Sequence, residues 1–475
     1  MVTTNKYEIK KSKFSNKNMI NLANRKQVID KKPVLDKKII QNPDVSVVVK
    51  NRKTELVNSD LFSLADYHKD HFEGELFNKV SQFRAFITDV RNKGYYQYQR
   101  KISSMSGHSV IVNNKINKHK MILFASNNYL GLTGHPEVID AAVLAIKKYG
   151  SGSGGVPLLG GTMSLHKELE RRLARFKGME DAVLFSSGYS ANVGIISSLV
   201  GKNDVVVNDK LNHASIIDGS IMSGGQFVVF PHNNMRLLEK KLASIPSNRG
   251  ILLVVDGVFS MDGDIANLPE IINLKKKYNF RTMIDEAHAT GVIGSFGRGT
   301  PSYFNLEGKV DIVMGTMSKA LGAVGGFIAS SEEVVDYVRH YARSFFFSTS
   351  LPPATIASLI KVIDILERDG TALVKKLHNN SEYFRYLLSC NHIKTRGESF
   401  IPIVPIIVGD DLLLRKIHSE LNEKGLFVNA VPYPAVPKKE CRLRLSIMAT
   451  HTRDELEYAA NEIVKIFRKY NLINV

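Results

Sequence analysis

Lys319, Asp285 and His288 carry groups whose chemistry is complementary. Lys319 follows VDIVMG, an apolar run that reads as a short buried strand over residues 310–314, broken at Gly315. The Thr-Met-Ser-Lys loop would then hold a primary amine at the carboxyl edge of a sheet, where it can form a Schiff base. A second strand ends at Asp285 in TMIDEAHATG, with His288 three residues further on. A carboxylate there can keep a pyridine nitrogen protonated, and an amine with such a carboxylate is the pair that pyridoxal phosphate needs to act as an electron sink. Alone, each is uninformative: a lysine after a strand is ordinarily solvated, and an Asp-Glu-Ala-His run can cap a helix.

Other residues offer supporting chemistry. In LFSSGYSAN, residues 184–185 read as a strand end and Gly188-Tyr189 as the turn into a helix beginning near Ser190, so backbone N–H groups would face a cofactor phosphate. Gly188 permits close approach, although an ordinary strand-to-helix turn has the same pattern. Ser260 and Thr316 are either polar contacts to the cofactor or turn caps. Arg442 and Arg444 alternate with Leu443 and Leu445, the period of a strand with both guanidinium groups on one face. Either arginine could hold a carboxylate bidentately, or both could be surface residues.

Seven stretches occur in a fixed order around these residues: LFASNNYLGLTGHP (123–136), GGTMSLHKELERRLA (160–174), LFSSGYSAN (184–192), LNHASIIDG (211–219), VDGVFSMDGDIANLPEI (255–271), FFFSTSLPPA (345–354) and RLRLSIMATHT (442–452). Together with the lysine loop they resemble the α-oxoamine synthases, from about Phe77 to the C-terminus. The resemblance implies condensation of an amino acid with an acyl thioester and release of carbon dioxide, giving an α-amino ketone. It implies catalytic roles for Lys319, His213, Asp285 and His288, with His213 stacked on the pyridine ring and His288 at the phenolic oxygen. It further implies Thr316 on the phosphate, Asn127 and Arg444 on the amino-acid substrate, and Thr349 on the phosphate of a partner subunit. An obligate homodimer with shared active sites follows from that last role.

A chain of 475 residues can hold more than one lobe. Apolar strands such as GILLVVDG alternate with helical stretches such as PEIINLKKKY, which marks an α/β protein with a mainly parallel sheet. After Pro353 the pattern predicts a helix over 354–367, a strand over 403–408, a helix over 412–425, a strand over 442–446 and a helix over 453–469, a smaller α+β lobe. The resemblance implies the aspartate-aminotransferase-like fold, type I. The expected divisions are a basic, disordered extension (1–60), a helical arm (61–122) with an amphipathic helix over 61–91, a large cofactor-binding domain (123–350) and a small C-terminal domain (351–475).

Two cysteines, Cys390 and Cys441, exclude a disulfide framework or thiolate metal cluster and point to a reducing compartment. No apolar run is long enough to span a bilayer and no signal-peptide pattern is present, so a cytoplasmic enzyme is expected. Much of the net charge of +18 falls in the lysine- and asparagine-rich first seventy residues. That segment reads as a solvated extension, with an acidic carrier protein as an expected partner by charge complementarity; without interleaved aromatics it does not read as a nucleic-acid platform.

Substrate choice is open at this level. The stretch before residue 105 and the run around His213 are most similar to bacterial serine palmitoyltransferases, so serine leads, ahead of glycine and alanine. Pro157 stands where relatives commonly carry arginine, which removes a charge near the expected acyl-thioester entrance. Glycine C-acetyltransferase and 8-amino-7-oxononanoate synthase share the same catalytic residues. Aminotransferase chemistry and a non-catalytic partner subunit are alternatives of other classes.

Overall fold

In the computed structural model, the residues described are 58–96, 98–113 and 118–473. The expectation of a disordered extension falls almost entirely outside them. Seven strands make the central sheet: β1 (Asp181–Phe185), β2 (Val205–Asp209), β3 (Gln226–Phe230), β4 (Ile251–Asp256), β5 (Arg281–Asp285), β6 (Ile312–Thr316) and β7 (Gly326–Ser330). Their order is β1-β7-β6-β5-β4-β2-β3. β2 to β6 run parallel to one another, and β7 is antiparallel to both β1 and β6. Continuous apolar runs such as Val205–Val207 and Leu252–Val255 are buried throughout, as a sheet covered on both faces requires. The carboxyl ends of β2, β4, β5 and β6 bring Asp209, Asp256, Asp285 and Thr316 to one edge, the usual location of ligand sites in open α/β sheets.

The strand before Lys319 does not break at Gly315. It continues to Thr316, with Gly315 paired to Phe327 and Thr316 to Gly326. Gly315 is there because the Phe327 ring fills the space a Cβ would need.

The arm also departs from expectation. Instead of one helix over 61–91, three 3₁₀ turns (Ser59–Leu61, Leu64–Tyr67, Lys69–His71) precede a helix at Asn78–Asn92. Asp66 takes hydrogen bonds from the backbone and hydroxyl of Ser63, which starts a tight turn. Gly74, at φ +92°, then turns the chain in a way an L-residue helix cannot follow. Tyr67 stacks on Phe86 of the helix at 4.8 Å, so the turns are folded onto it.

In the C-terminal region the helix expected over 354–367 runs from Pro353 to Ser389, 37 residues. Gly370 does not end it: the helix passes so close to Phe296 that a Cβ at this position would lie 2.7 Å from its carbonyl oxygen. The strands β8 (Ile403–Ile407), β9 (Asn429–Val431) and β10 (Arg442–Ser446) form an antiparallel sheet in the order β8-β10-β9. Helices Asp411–Glu423 and Arg453–Lys469 pack on it through Leu414, Ile417, Leu421, Leu456, Ile463 and Phe467. Strand Lys118–Leu123 of the arm pairs in parallel with Leu426–Phe427, and Phe124 lies in the same core.

The loop after β4 is gripped from both sides. Arg442, 1% exposed, donates to the Met261 carbonyl (3.1 Å), Asp262 (2.8 Å) and Glu440 (2.7 Å). At the loop's other end His232 sits between Asp209 (2.9 Å) and Asp264 (2.7 Å), and these carboxylates push its pKa up to about 10 against the opposing effect of burial.

Candidate active site

A cavity of ≈ 250 Å³ opens at the carboxyl edge of the sheet, lined among others by Gly188, Tyr189, His213, Asp285, His288, Thr316 and Lys319. Seven residues singled out in the sequence thus meet in one place.

Asp285 is buried at the end of β5 and is fully engaged. Its Oδ2 accepts from Asn192 Nδ2 at 2.7 Å and its Oδ1 from the Ala287 N–H at 2.9 Å. The same Asn192 amide donates to Ser215 at 2.9 Å. The carboxylate is therefore fixed in orientation before any ligand arrives. Lys319 lies in the loop between β6 and β7, which is closed by Met317 N–H to the Gly325 carbonyl (2.9 Å) and Gly322 N–H to the Lys319 carbonyl (2.9 Å). Burial pushes the amine down to about 8, although Asp285 and Asp256 pull in the opposite direction.

His288 is buried and far below its ordinary pKa, first through burial and then through Lys319 and Arg444, so it is neutral. Its Nδ1 is 2.8 Å from the Tyr129 hydroxyl. His213 caps the helix Ala214–Ser223, its Nδ1 accepting from the Ser215 N–H at 3.3 Å. Burial lowers its pKa as well.

The helix Gly188–Leu199 starts at Gly188, two residues before the position expected from sequence, with Ser187 as its cap accepting from the Ser190 N–H at 3.0 Å. A Cβ on Gly188 would lie 2.9 Å from Thr316 Cβ, so glycine is what allows the helix start and the β6 end to meet. Thr316 Oγ1 is 2.9 Å from Ser318 Oγ. Tyr189 donates its hydroxyl hydrogen bond to Asp218.

On the small-lobe side Arg444 donates from Nε to the Ser260 carbonyl (2.7 Å) and from Nη1 to Asn127 Oδ1 (3.3 Å) and Ser446 Oγ (3.2 Å). The two arginines of β10 thus take different partners: Arg442 binds Met261 and Asp262 of the loop after β4, and Arg444 binds Ser260 of the same loop together with Asn127 and Ser446; neither Arg444 nor Asn127 is among the residues lining the cavity. Ser260 enters through its carbonyl, as a holder of Arg444, and is not among the residues lining the cavity. Thr349 is also outside it, in a separate cleft with Pro157 and His166. Pro157 opens a five-residue turn, Pro157–Gly161.

Sequence reading missed Asn192, Tyr129 and Asp256. Asn192 was detectable, being four residues after Gly188 and hence on the same helix face. Asp256 ends β4 as Asp285 ends β5, and the two are register partners. Tyr129 lies inside one of the quoted stretches, but its contact with His288 spans 159 residues of chain.

This donor set fits pyridoxal phosphate. One end of the cavity presents helix N-terminal N–H groups with the Ser187, Thr316 and Ser318 hydroxyls, suited to a phosphate. The other has a buried, pre-oriented carboxylate suited to a pyridine nitrogen, with a low-pKa lysine alongside.

Comparison with known proteins agrees. The family model for aminotransferase class I and II matches residues 119–463. The chain is 42% identical over 388 residues to an 8-amino-7-oxononanoate synthase of Thermoanaerobacter pseudethanolicus, covering 82% of this chain and 97% of the relative. It is 40% identical over 397 residues to a serine palmitoyltransferase of Sphingobacterium spiritivorum, covering 84% and 98%. Among solved structures, the serine palmitoyltransferase of Sphingomonas wittichii superposes with a TM-score of 0.80 at 34% identity, covering 84% of this chain and 100% of that one. With the type I fold, the lysine–aspartate pair and these relatives in agreement, the chain belongs to the aminotransferase class I and II family and, within it, to the α-oxoamine synthases, acyltransferases that work with pyridoxal phosphate.

Proposed function

We propose that this enzyme condenses a small α-amino acid, serine first, with an acyl thioester, releasing carbon dioxide and free thiol. The observation that carries the reading is the convergence of Lys319, Asp285 and neutral His288 on one cavity, with Arg444 one hydrogen-bond network away through Asn127 and Tyr129. Pyridoxal phosphate supplies a sink for the electrons left at the amino acid's α-carbon.

The protein's own groups do the rest. The N-terminus of helix Gly188–Leu199, with Thr316, would hold the phosphate, Asp285 would keep the ring nitrogen protonated, and His213 would contribute to the wall of the cofactor pocket. Arg444, held by Ser260 and Asn127, takes the substrate carboxylate. Lys319, with its amine near 8, is a base matched to neutral pH and removes the α-proton. His288, being neutral, lines the site without bringing a positive charge into it.

The enzyme acts as a homodimer in the cytoplasm. Thr349 lies outside its own chain's cavity, which supports a role at the partner's phosphate. Exposed Phe347, two residues before it, offers apolar surface beside it. Both cysteines are free thiols, in keeping with a reducing compartment. The acyl group arrives on coenzyme A or on an acyl carrier protein, the basic N-terminal segment favouring the acidic carrier.

A second reading, 8-amino-7-oxononanoate synthase activity, is favoured by the relative that carries that name at 42% identity. Thiol release with serine, glycine and alanine, each against acetyl, succinyl and palmitoyl thioesters on both carriers, tests the choice. Serine with a long chain should turn over fastest. A clear preference for alanine with a dicarboxylic acyl group would favour the second reading, and glycine with acetyl-coenzyme A outpacing every long-chain pair would sink the first.

A further inference from the structure

Asp256 has no part in the scheme above, yet it lines the same cavity as Asp285 and Lys319. Strands β4 and β5 are parallel and in register, with Asp256 opposite Asp285, so two buried carboxyl groups stand side by side at the sheet edge. They are not equally solvated by the protein. Asp285 receives the Asn192 amide and the Ala287 N–H, one on each oxygen. Asp256 receives only the His213 N–H, at 3.3 Å on Oδ1, and its Oδ2 has no hydrogen-bond partner among the described residues. The charged groups facing it are Asp285 on β5, Asp209 on β2, His213 after β2 and Lys319 after β6. With Asp209 paired to His232, two buried carboxylates face one lysine, which leaves one negative charge in excess. The better-solvated group keeps its charge, and the neighbour takes up a proton.

We propose that Asp256 is a positioning residue held as the neutral carboxylic acid: it anchors the His213 backbone over the cavity, and its neutrality leaves Asp285 the one charged carboxyl there, so that Lys319 is not locked as an ammonium ion. Burial and the adjacent Asp285 both push Asp256 well above the ordinary carboxyl range, the direction this arrangement demands. An ionised Asp256 would do the opposite of what a base needs, since its charge raises Lys319. The inference rests on the chain's own residues and is independent of which amino acid or acyl group is used.

The test uses apo- and holoprotein and three readouts. Infrared spectra of the wild type should contain a carboxylic-acid carbonyl band at neutral pH that fades as pH rises and is missing from Asp256→Asn. In apoprotein, the Lys319 amine, followed by its reactivity towards an acylating reagent, should titrate at the same pH in wild type and Asp256→Asn, because a neutral group is exchanged for a neutral group. Cofactor affinity should fall at least tenfold in Asp256→Ala, which loses the His213 anchor, and return to within threefold of wild type in Asp256→Asn, whose amide oxygen can still accept that N–H. Absence of the band overturns the proposal, and the wild-type spectrum alone decides that if a variant fails to fold. A fall of one pH unit or more in the Lys319 titration of Asp256→Asn overturns it too, because the wild-type group would then have been charged. Equal loss of cofactor affinity in both variants removes the anchoring role.

Discussion

The hydroxyl of Tyr129 and Nδ1 of His288 lie 2.8 Å apart, and the same hydroxyl reaches Asn127, which in turn accepts from Arg444. One buried phenol therefore joins His288 to the Arg444 network. Tyr129→Phe removes this link without changing shape. The expected outcome is a loss of about 1 kcal/mol of transition-state stabilisation, roughly fivefold in kcat/KM, with a slightly lowered melting temperature because the buried His288 Nδ1 loses its partner.

Lys319→Ala should yield folded protein without the visible absorbance band of lysine-linked cofactor. A variant whose visible band is bleached by borohydride, leaving near-ultraviolet cofactor absorbance that dialysis does not remove, would show that another lysine holds the cofactor.

The two arginines of β10 should fail in different ways. Arg444→Ala is expected to raise KM for the amino acid by about 10- to 100-fold, the size of a lost charge-assisted pair. Arg442→Ala should leave KM near wild type and destabilise the fold by about 3 kcal/mol, because a buried guanidinium with two carboxylate partners is removed. Initial-rate kinetics and denaturant melts on both variants separate the effects.

The apoprotein's Lys319 should become reactive towards amine reagents as pH rises through about 8, well below the ~10.4 of a solvated lysine. A positive group is stabilised by a nearby negative one, so Asp285→Ala should shift this titration lower still. A shift to higher pH would contradict the charge arrangement.

Gly188→Ala places a methyl group 2.9 Å from Thr316 Cβ. Helix start and strand end must then separate, so cofactor affinity should drop while the rest of the fold survives at a cost of about 1–3 kcal/mol. Titration with pyridoxal phosphate followed by absorbance would measure the drop.

Local signals were read well where they are dense. Strand Arg442–Ser446 and helix Arg453–Lys469 lie where the sequence pattern put them, and in the structure Thr452 and Glu455 form a capping box at the helix start. The arm over residues 61–91 and the 37-residue helix were misread for the same reason: local pattern was outweighed by distant packing. Tyr67 folds back on Phe86, and Gly370 is seated against Phe296 rather than ending a helix. In the site, Asp285 at a strand end and Lys319 in the loop just after one were legible because chemistry and chain position coincide in a few residues. Tyr129 and the parting of Arg442 from Arg444 were not, since each depends on a partner more than a hundred residues away.

The loop after β4 bears on how such an enzyme can change over evolutionary time. Its residues 260 to 262 are gripped by Arg444 and Arg442, while its Asp264 is gripped by His232. A C-terminal lobe exchanged for that of a relative would have to bring arginines that meet this loop, or leave the Asp262 carboxylate and the Ser260 and Met261 carbonyls without their counterparts. Recombination at the lobe boundary is thereby disfavoured, and new amino-acid preferences are expected to arise by point substitution around the cavity rather than by trading lobes.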